Sequence, residues 1–112
     1  MPNKFPLNIH ETKLLQEKYG SPLQVYDMNA ILDNYNNYVG VFSSKLPNFK
    51  QFYAVKALPN PHVIRELVNA GSGLDCSSNT ELKLAMKLSV NPKKVMFTSN
   101  YTSVTDFKLA LN

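Results

Sequence analysis

From residue 50 onward, three short apolar segments alternate with three segments of helical periodicity at even intervals. The apolar segments are residues 52–56, 73–77 and 94–99, each of them followed by residues suited to start a helix. Such β-α units place parallel strands side by side through right-handed crossovers. Three strands do not close a barrel, which takes eight strands and about 250 residues. The 112 residues therefore predict an α/β fold that forms the amino-terminal part of a larger domain.

Capping signals support this division into elements. Pro59-Asn60-Pro61 follows the first strand as a turn, and Asn91-Pro92 ends the helix before the third strand. The predicted helix starts after the three strands are Asn60 with Pro61, the capping box Ser78-x-x-Glu81, and Thr102 or Ser103.

The first 50 residues predict two further helices with a strand between them. One helix begins at Asn8, with Glu11 completing a capping signal, and ends at Gly20. The strand covers residues 23–26, and Asp27 caps the second, longer helix. This helix carries an apolar stripe, which predicts a face in the core: Ile31, Leu32, Tyr35, Tyr38, Val39 and Phe42.

Composition and charge narrow the classes of partner. Apolar residues make up 44% and charged residues 18%, and the formal net charge is +4. The basic residues are scattered instead of forming a basic helix, so we expect no nucleic-acid partner. Lone Cys76 excludes an intrachain disulfide and fits a reducing compartment, and isolated His10 and His62 give no support for a metal site. Without an apolar targeting segment or a membrane-length apolar run, we expect a cytoplasmic protein that does not enter membranes.

Polar side chains follow the strands at the edge where ligands collect in barrels and open α/β sheets. Lys56 ends the first strand. If Leu74 and Cys76 lie under the helices, strand alternation projects Asp75 to the same side as Lys56. Asn100, beyond the third strand, falls on the same rim. A lysine amine in its neutral form condenses with aldehydes, so the three residues predict a site for a carbonyl cofactor.

Each of these residues also has a purely structural interpretation. Lys56 could mark a strand end and extend into water, Asp75 could form an ion pair or a turn hydrogen bond, and Asn100 could serve as a loop or cap residue. The residues by themselves leave both interpretations open.

The chain resembles the fold-type III, pyridoxal phosphate (PLP) dependent amino-acid decarboxylases, the family of the diaminopimelate, ornithine and arginine decarboxylases. Four blocks match in the family's order and spacing, namely YGSPLQVYD (19–27), FYAVKALPNP (52–61), NAGSGLDCSSNTEL (69–82) and VMFTSN (95–100). The resemblance implies that residues 1–112 are the amino-terminal part of a PLP-binding (β/α)8 TIM barrel domain: three parallel β-α units preceded by a helix-strand-helix segment.

The same resemblance implies roles for the three candidate residues. Lys56 would be the Schiff-base lysine, acting in catalysis and in cofactor binding, with Asp75 beside it in both roles. Asn100 would belong to the cofactor-binding set. The implied reaction releases the Cα carboxylate of a small amino-acid substrate as CO2, while the protonated pyridine ring takes up the electron pair.

Substrate choice within the family stays open. The first block and the LDCSS segment look most like diaminopimelate decarboxylase, which makes lysine from meso-diaminopimelate. Ornithine decarboxylases share FYAVK and an FDCAS-like segment, so an ornithine- or arginine-type enzyme of polyamine synthesis is the alternative. Alanine racemases are disfavoured, because Leu58-Pro59-Asn60-Pro61 replaces the Gly-rich pattern that follows their lysine.

The resemblance also implies elements that do not fit within 112 residues: a glycine-rich phosphate loop, an acidic partner of the pyridine nitrogen and a carboxy-terminal β-domain. It implies a homodimer with shared sites, so we expect a fragment that is inactive alone. Two other classes are a catalytically inactive relative that serves as a binding or assembly module and a small PLP-binding homeostasis protein. The presence of Lys56 argues against the first, and the block at residues 19–27 argues against the second.

Overall fold

A three-stranded parallel sheet lies at the centre of the computed structural model, which describes residues 6–111. Its strands are β1 (Phe52–Ala54), β2 (Gly73–Cys76) and β3 (Val95–Phe97), in the order β1-β2-β3. Both ladders are parallel, as the alternation of strands and helices predicts.

Five α-helices accompany this sheet within the described range. They are α1 (Ile9–Tyr19), α2 (Met28–Ser43), α3 (Pro61–Asn69), α4 (Asn79–Lys87) and α5 (Val104–Leu111). Helix α3 connects β1 to β2, and α4 connects β2 to β3. Two single 3-10 turns, Val55–Ala57 and Pro92–Lys94, flank the sheet. The order of elements after residue 50 is the predicted one.

The helices begin where the sequence predicts because each cap residue satisfies otherwise unpaired N–H groups. Asn8 and Glu11 form a reciprocal capping box at 2.9 and 2.8 Å, and Gly20 ends α1. Asp27 accepts a hydrogen bond at 3.0 Å from the third residue of α2. Asn60 does the same for α3, accepting from two backbone N–H groups at 3.0 and 3.4 Å.

The core lies between the sheet and helices α3 and α4. Val55, Ile64, Leu74 and Cys76 have no exposed surface. Leu74 and Cys76 therefore face the helices, which is the condition for Asp75 to project to the opposite side. Burying a valine, leucine or isoleucine side chain contributes roughly 1.5–3 kcal/mol, so this cluster stabilises the packing of the helices on the sheet.

The predicted strand at residues 23–26 is wrong. These residues have no regular secondary structure, and the side chains of Leu23 and Val25 are 39% and 45% exposed. An extended segment becomes a strand only when a neighbouring strand pairs with its backbone groups, and none of the described strands pairs with this segment.

Strand lengths and the burial of α2 also differ from the prediction. All three strands are shorter than predicted, because β1 passes into a 3-10 turn after Ala54 and the other strands end at Cys76 and Phe97. The apolar stripe of α2 contains no fully buried residue, and Tyr38 is 49% exposed. Its aromatic rings instead pack locally, with the Phe42 and Phe49 centroids 5.2 Å apart.

None of the helices in residues 6–111 has the length and apolar character needed to cross a membrane.

Candidate active site

The carboxyl ends of the three strands surround an open cavity of about 450 Å³. Lys56, Asp75 and Asn100, the three residues predicted to converge, all line it. The remaining lining residues are Ala54, Ser77, Thr98, Ser99 and Tyr101. The register accounts for this arrangement, since Ala54 pairs with Asp75 and Asp75 with Met96 across the sheet. Equivalent positions on parallel neighbours present their side chains on the same face.

Lys56 reaches the cavity from the 3-10 turn that follows β1. The preceding residue, Val55, is fully buried and fixes one side of the turn, whereas Lys56 is exposed. The phenol of Tyr53 donates a hydrogen bond to the carbonyl oxygen of Leu58 at 3.4 Å, which ties the segment after the turn to β1. Burial raises the pKa of Tyr53, so the phenol keeps the proton that it donates. The cavity around Lys56 is open, and most of its lining residues are polar, so the described residues do not enclose Lys56 in apolar side chains.

Asp75 lies on β2 with one carboxylate oxygen already engaged. Its Oδ1 accepts a hydrogen bond from the Thr98 hydroxyl. The next residue, Cys76, points into the core on the opposite face. Burial raises the pKa of Cys76 from 9.0 to about 11, with smaller contributions from the negative charges of Glu81 and Asp75. The thiol therefore stays protonated at neutral pH and plays no part in the chemistry of the cavity.

Ser77 is held at the rim by Glu81 on α4. The Glu81 carboxylate accepts from the Ser77 backbone N–H at 2.8 Å and from its hydroxyl at 3.0 Å. Ser78 caps α4 as predicted, accepting from the Glu81 N–H at 3.3 Å. The predicted capping box is therefore only half formed, because the Glu81 side chain binds the residue before the cap. Because the Ser77 hydroxyl donates its hydrogen to Glu81, the Ser77 oxygen can only accept hydrogen bonds from a ligand.

The loop after β3 brings the remaining polar groups. The Thr98 N–H continues the ladder by donating to the Cys76 carbonyl at 2.9 Å, and Asn100 follows two residues later as an exposed residue. Ser103, and not Thr102, caps α5, since its hydroxyl accepts from the Asp106 N–H at 3.2 Å. The Asp106 carboxylate accepts in return from the Ser103 N–H at 2.9 Å, and this capping box closes the loop.

The sequence prediction missed Ser77 and Thr98 as members of the site. The signal was present, because strand alternation puts Ser77 on the face of Asp75 and Thr98 on the face of Asn100. What the sequence does not contain is the register between β2 and β3, which brings the Thr98 hydroxyl to Asp75.

The donor set suits an aldehyde-bearing aromatic cofactor such as PLP. Lys56 provides a primary amine, Asp75 an anion, and Thr98 and Asn100 provide hydrogen-bonding groups. No second basic side chain and no glycine are among the described residues that line the cavity. These residues therefore fit the aldehyde and ring of PLP, while its phosphate needs groups beyond this set.

Comparison with known proteins gives the same class. Residues 31–112 match the family model of the pyridoxal-dependent decarboxylase, pyridoxal binding domain. The chain is 41% identical to Protein TabA of Pseudomonas amygdali pv. tabaci, over 87% of this chain and 23% of that protein. It is 35% identical to a diaminopimelate decarboxylase of Methanothermobacter thermautotrophicus, over 88% of this chain and 23% of the relative.

The fold has a close counterpart among solved structures. The crystal structure of a lysine/ornithine decarboxylase from Vibrio vulnificus, complexed with putrescine, superposes with a TM-score of 0.79 at 28% identity. The superposition covers 94% of this chain and 29% of that one.

These matches confirm the predicted α/β fold, three β-α units of a partial (β/α)8 barrel, and the resemblance carried by the four blocks. The chain spans about a quarter of the length of the two curated relatives. It belongs to the family of pyridoxal-dependent decarboxylases, and residues 31–112 match their pyridoxal binding domain.

Proposed function

We propose that this chain supplies the lysine-bearing part of the active site of a PLP-dependent amino-acid decarboxylase. The observation that carries the proposal is the position of Lys56, which lies with Asp75 on one cavity at the carboxyl edge of a parallel sheet. In a family whose domain binds pyridoxal, an exposed primary amine at this edge is the natural site of covalent attachment.

Each residue of the cavity has a separate role in the proposed site. When bound, PLP would supply an electrophilic aldehyde carbon and a ring able to take up an electron pair. Lys56 would hold that carbon through its Nζ atom, and its amine can carry a proton. The carboxylate of Asp75 would stabilise positive charge at Nζ by Coulomb attraction. The Asn100 amide, which has donors and an acceptor, would bind polar ring substituents.

We propose meso-diaminopimelate as the substrate and lysine biosynthesis as the process. The block at residues 19–27, the LDCSS segment and the 35% identity to a diaminopimelate decarboxylase support this choice. A basic amino acid such as ornithine is the second candidate, favoured by the structural overlap with a lysine/ornithine decarboxylase complexed with putrescine. Mass spectrometry of the amines formed from diaminopimelate, ornithine, lysine and arginine by the product of the whole gene separates the two candidates.

We propose further that the chain acts in the cytoplasm and as part of a homodimer. A free cysteine, Cys76, fits a reducing compartment. Large apolar side chains such as Ile9, Val41 and Leu111 are at least 65% exposed, and exposed apolar surface of this kind favours burial against other protein. For the same reason we do not expect decarboxylation from this chain on its own.

Reductive trapping tests the role of Lys56. The chain is mixed with PLP, reduced with borohydride and mapped by peptide mass spectrometry. We expect one pyridoxyl group at Lys56, its loss in Lys56→Ala, and no change in Lys83→Ala, because Lys83 is exposed on α4 and does not line the cavity. Label spread over surface lysines, or equal incorporation into Lys56→Ala, would show that Lys56 is not the attachment site.

A further inference from the structure

Thr98 is bound to strand β2 in two ways. Its backbone N–H donates to the Cys76 carbonyl at 2.9 Å, and its hydroxyl donates to Oδ1 of the neighbouring Asp75. Both the main chain and the side chain of Thr98 therefore hold the same short stretch of β2, at the edge where the cavity opens.

The register explains why Thr98 makes this contact. Asp75 pairs with Met96 across the β2–β3 ladder, and Thr98 is two residues further along on the same face. A diagonal neighbour two positions beyond the partner lies within reach of a polar side chain. Thr98 thus approaches Asp75 from the side of the carboxyl edge, where the cavity lies.

Thr98 is also the one hydrogen-bond partner of the Asp75 side chain among residues 6–111. Thr98 is an exposed residue, so water could satisfy its hydroxyl without Asp75. The contact is therefore not required to compensate for burial. The contact engages Oδ1 and leaves Oδ2 without a hydrogen-bond partner among residues 6–111.

We propose that Thr98 is a positioning residue that fixes the Asp75 carboxylate for its role beside Lys56. This inference rests on the proposed function, because it assigns Asp75 to the cofactor site. A hydroxyl donor leaves the negative charge on Asp75 while it restricts rotation of the side chain. A carboxylate already held in position loses less freedom when the cofactor binds, which favours attachment at Lys56.

Three variants separate the hydroxyl from the shape of the side chain. Thr98→Val keeps the branched shape and removes the donor, whereas Thr98→Ser keeps the donor. Thr105→Val is the matched control, because Thr105 is exposed on α5 and does not line the cavity. Urea unfolding of each variant monitors the fold.

Two readouts are taken from each variant. NMR coupling constants give the χ1 rotamer populations of Asp75 without PLP, and borohydride trapping gives the rate of pyridoxyl incorporation at Lys56. We expect Thr98→Val to spread the Asp75 rotamers and to slow trapping by about tenfold, the effect of losing one hydrogen bond to a charged group. Thr98→Ser and Thr105→Val should stay within about twofold of wild type.

The outcomes discriminate between the two proposals. Unchanged Asp75 rotamers and an unchanged trapping rate in Thr98→Val overturn the positioning role. If the wild-type chain is not labelled at Lys56, the proposed function fails, and the rotamer measurement alone decides whether Thr98 orients Asp75. If Thr98→Val perturbs folding, a double-mutant cycle with Asp75→Ala replaces the single comparison, because alanine removes the acceptor of the Thr98 hydroxyl. The effect of the threonine substitution on trapping must then disappear in the Asp75→Ala background, and persistence of the effect overturns the proposal.

Discussion

Glu81 and Ser77 are joined by two hydrogen bonds, from the Ser77 N–H at 2.8 Å and from its hydroxyl at 3.0 Å, both to the Glu81 carboxylate. Because Ser77 lines the cavity and Glu81 lies in the first turn of α4, this pair connects the rim to a helix that packs on the core. The acceptor carries a full negative charge and sits near the helix N-terminus, where negative charge is favoured.

We predict that Glu81→Ala lowers the free energy of unfolding by about 1–3 kcal/mol, since it removes two charge-assisted hydrogen bonds and leaves the Ser77 N–H unpaired. Urea unfolding measures this loss. Hydrogen exchange of the Ser77 amide should accelerate in parallel. Glu17→Ala, at an exposed position on α1, is the control and should change stability by no more than about 0.5 kcal/mol. Equal effects from the two variants would contradict the role of this pair.

A second prediction concerns Cys76 and alkaline pH. Burial raises the pKa of Cys76 from 9.0 to about 11, so the unfolded chain loses the thiol proton at lower pH than the folded chain does. Between these two values the folded state binds more protons, and its stability therefore falls as the pH rises. The contribution of Cys76 to the free energy of unfolding is fully present below about pH 9. It declines by roughly 2 kcal/mol as the pH approaches 11.

Urea unfolding in reducing buffer at pH 8 and pH 10.5 tests this prediction against Cys76→Ala. Other groups also titrate in this range, so the relevant quantity is the difference between the two proteins. Wild type should lose more stability over the interval than the alanine variant. An identical loss in both proteins would show that Cys76 does not contribute to the pH dependence.

The helix starts were predictable because each depends on contacts within about four residues of the chain. Asn8, Asp27 and Asn60 each accept hydrogen bonds from the first turn of the helix that they precede. The strand predicted at residues 23–26 does not form, because a strand depends on a partner that is often distant in sequence. Its composition favours an extended chain, and no described strand pairs with it.

For the candidate site, the sequence predicted that Lys56, Asp75 and Asn100 converge, and all three line one cavity. Strand alternation accounts for Asp75 on β2, whereas Lys56 and Asn100 lie just beyond the ends of β1 and β3. The contacts within the site were not predictable. The hydroxyl of Thr98 reaches Asp75 through the register of two strands, and Glu81 reaches past its own cap residue to Ser77. The first contact depends on the packing of two strands, which the spacing of residues along the chain does not encode. The second contact is local, but the capping-box pattern predicts that Glu81 binds its own cap residue, Ser78, and not Ser77.

A third prediction concerns Asp106 and acidic pH. Hydrogen bonds from the Ser103 backbone and hydroxyl lower the pKa of Asp106 below its ordinary value of 3.8. A carboxyl group with a lowered folded-state pKa stabilises the protein above that ordinary value and loses this effect as the pH falls through the folded-state pKa. Asp106→Asn should therefore lower the urea midpoint at pH 7, and its difference from wild type should shrink at pH 3. A difference that stays constant with pH would mean that the charge of Asp106 does not matter.

The last prediction compares two glycines with opposite surroundings. A Cβ atom on Gly73 would lie 2.6 Å from Cε1 of Phe52 and 2.9 Å from the carbonyl oxygen of Lys94, whereas a Cβ atom on Gly40 has no neighbour within 4 Å. Gly73→Ala should lower the free energy of unfolding by about 1–3 kcal/mol, since the backbone of Lys94 cannot move aside without disturbing the start of β3. Gly40→Ala, inside helix α2, should raise it by about 0.5–1 kcal/mol, because alanine favours the helix.

Urea unfolding of both variants measures the two changes in the free energy of unfolding, which should have opposite signs. Phe52→Leu combined with Gly73→Ala distinguishes the two contacts, because it removes the aromatic ring and leaves the Lys94 carbonyl in place. If the ring is the main obstacle, the double variant should recover part of the stability lost in Gly73→Ala, relative to Phe52→Leu alone. If the carbonyl is the obstacle, the cost of the alanine stays the same in both backgrounds. A neutral Gly73→Ala would mean that β1 and β3 approach β2 less closely than these distances require.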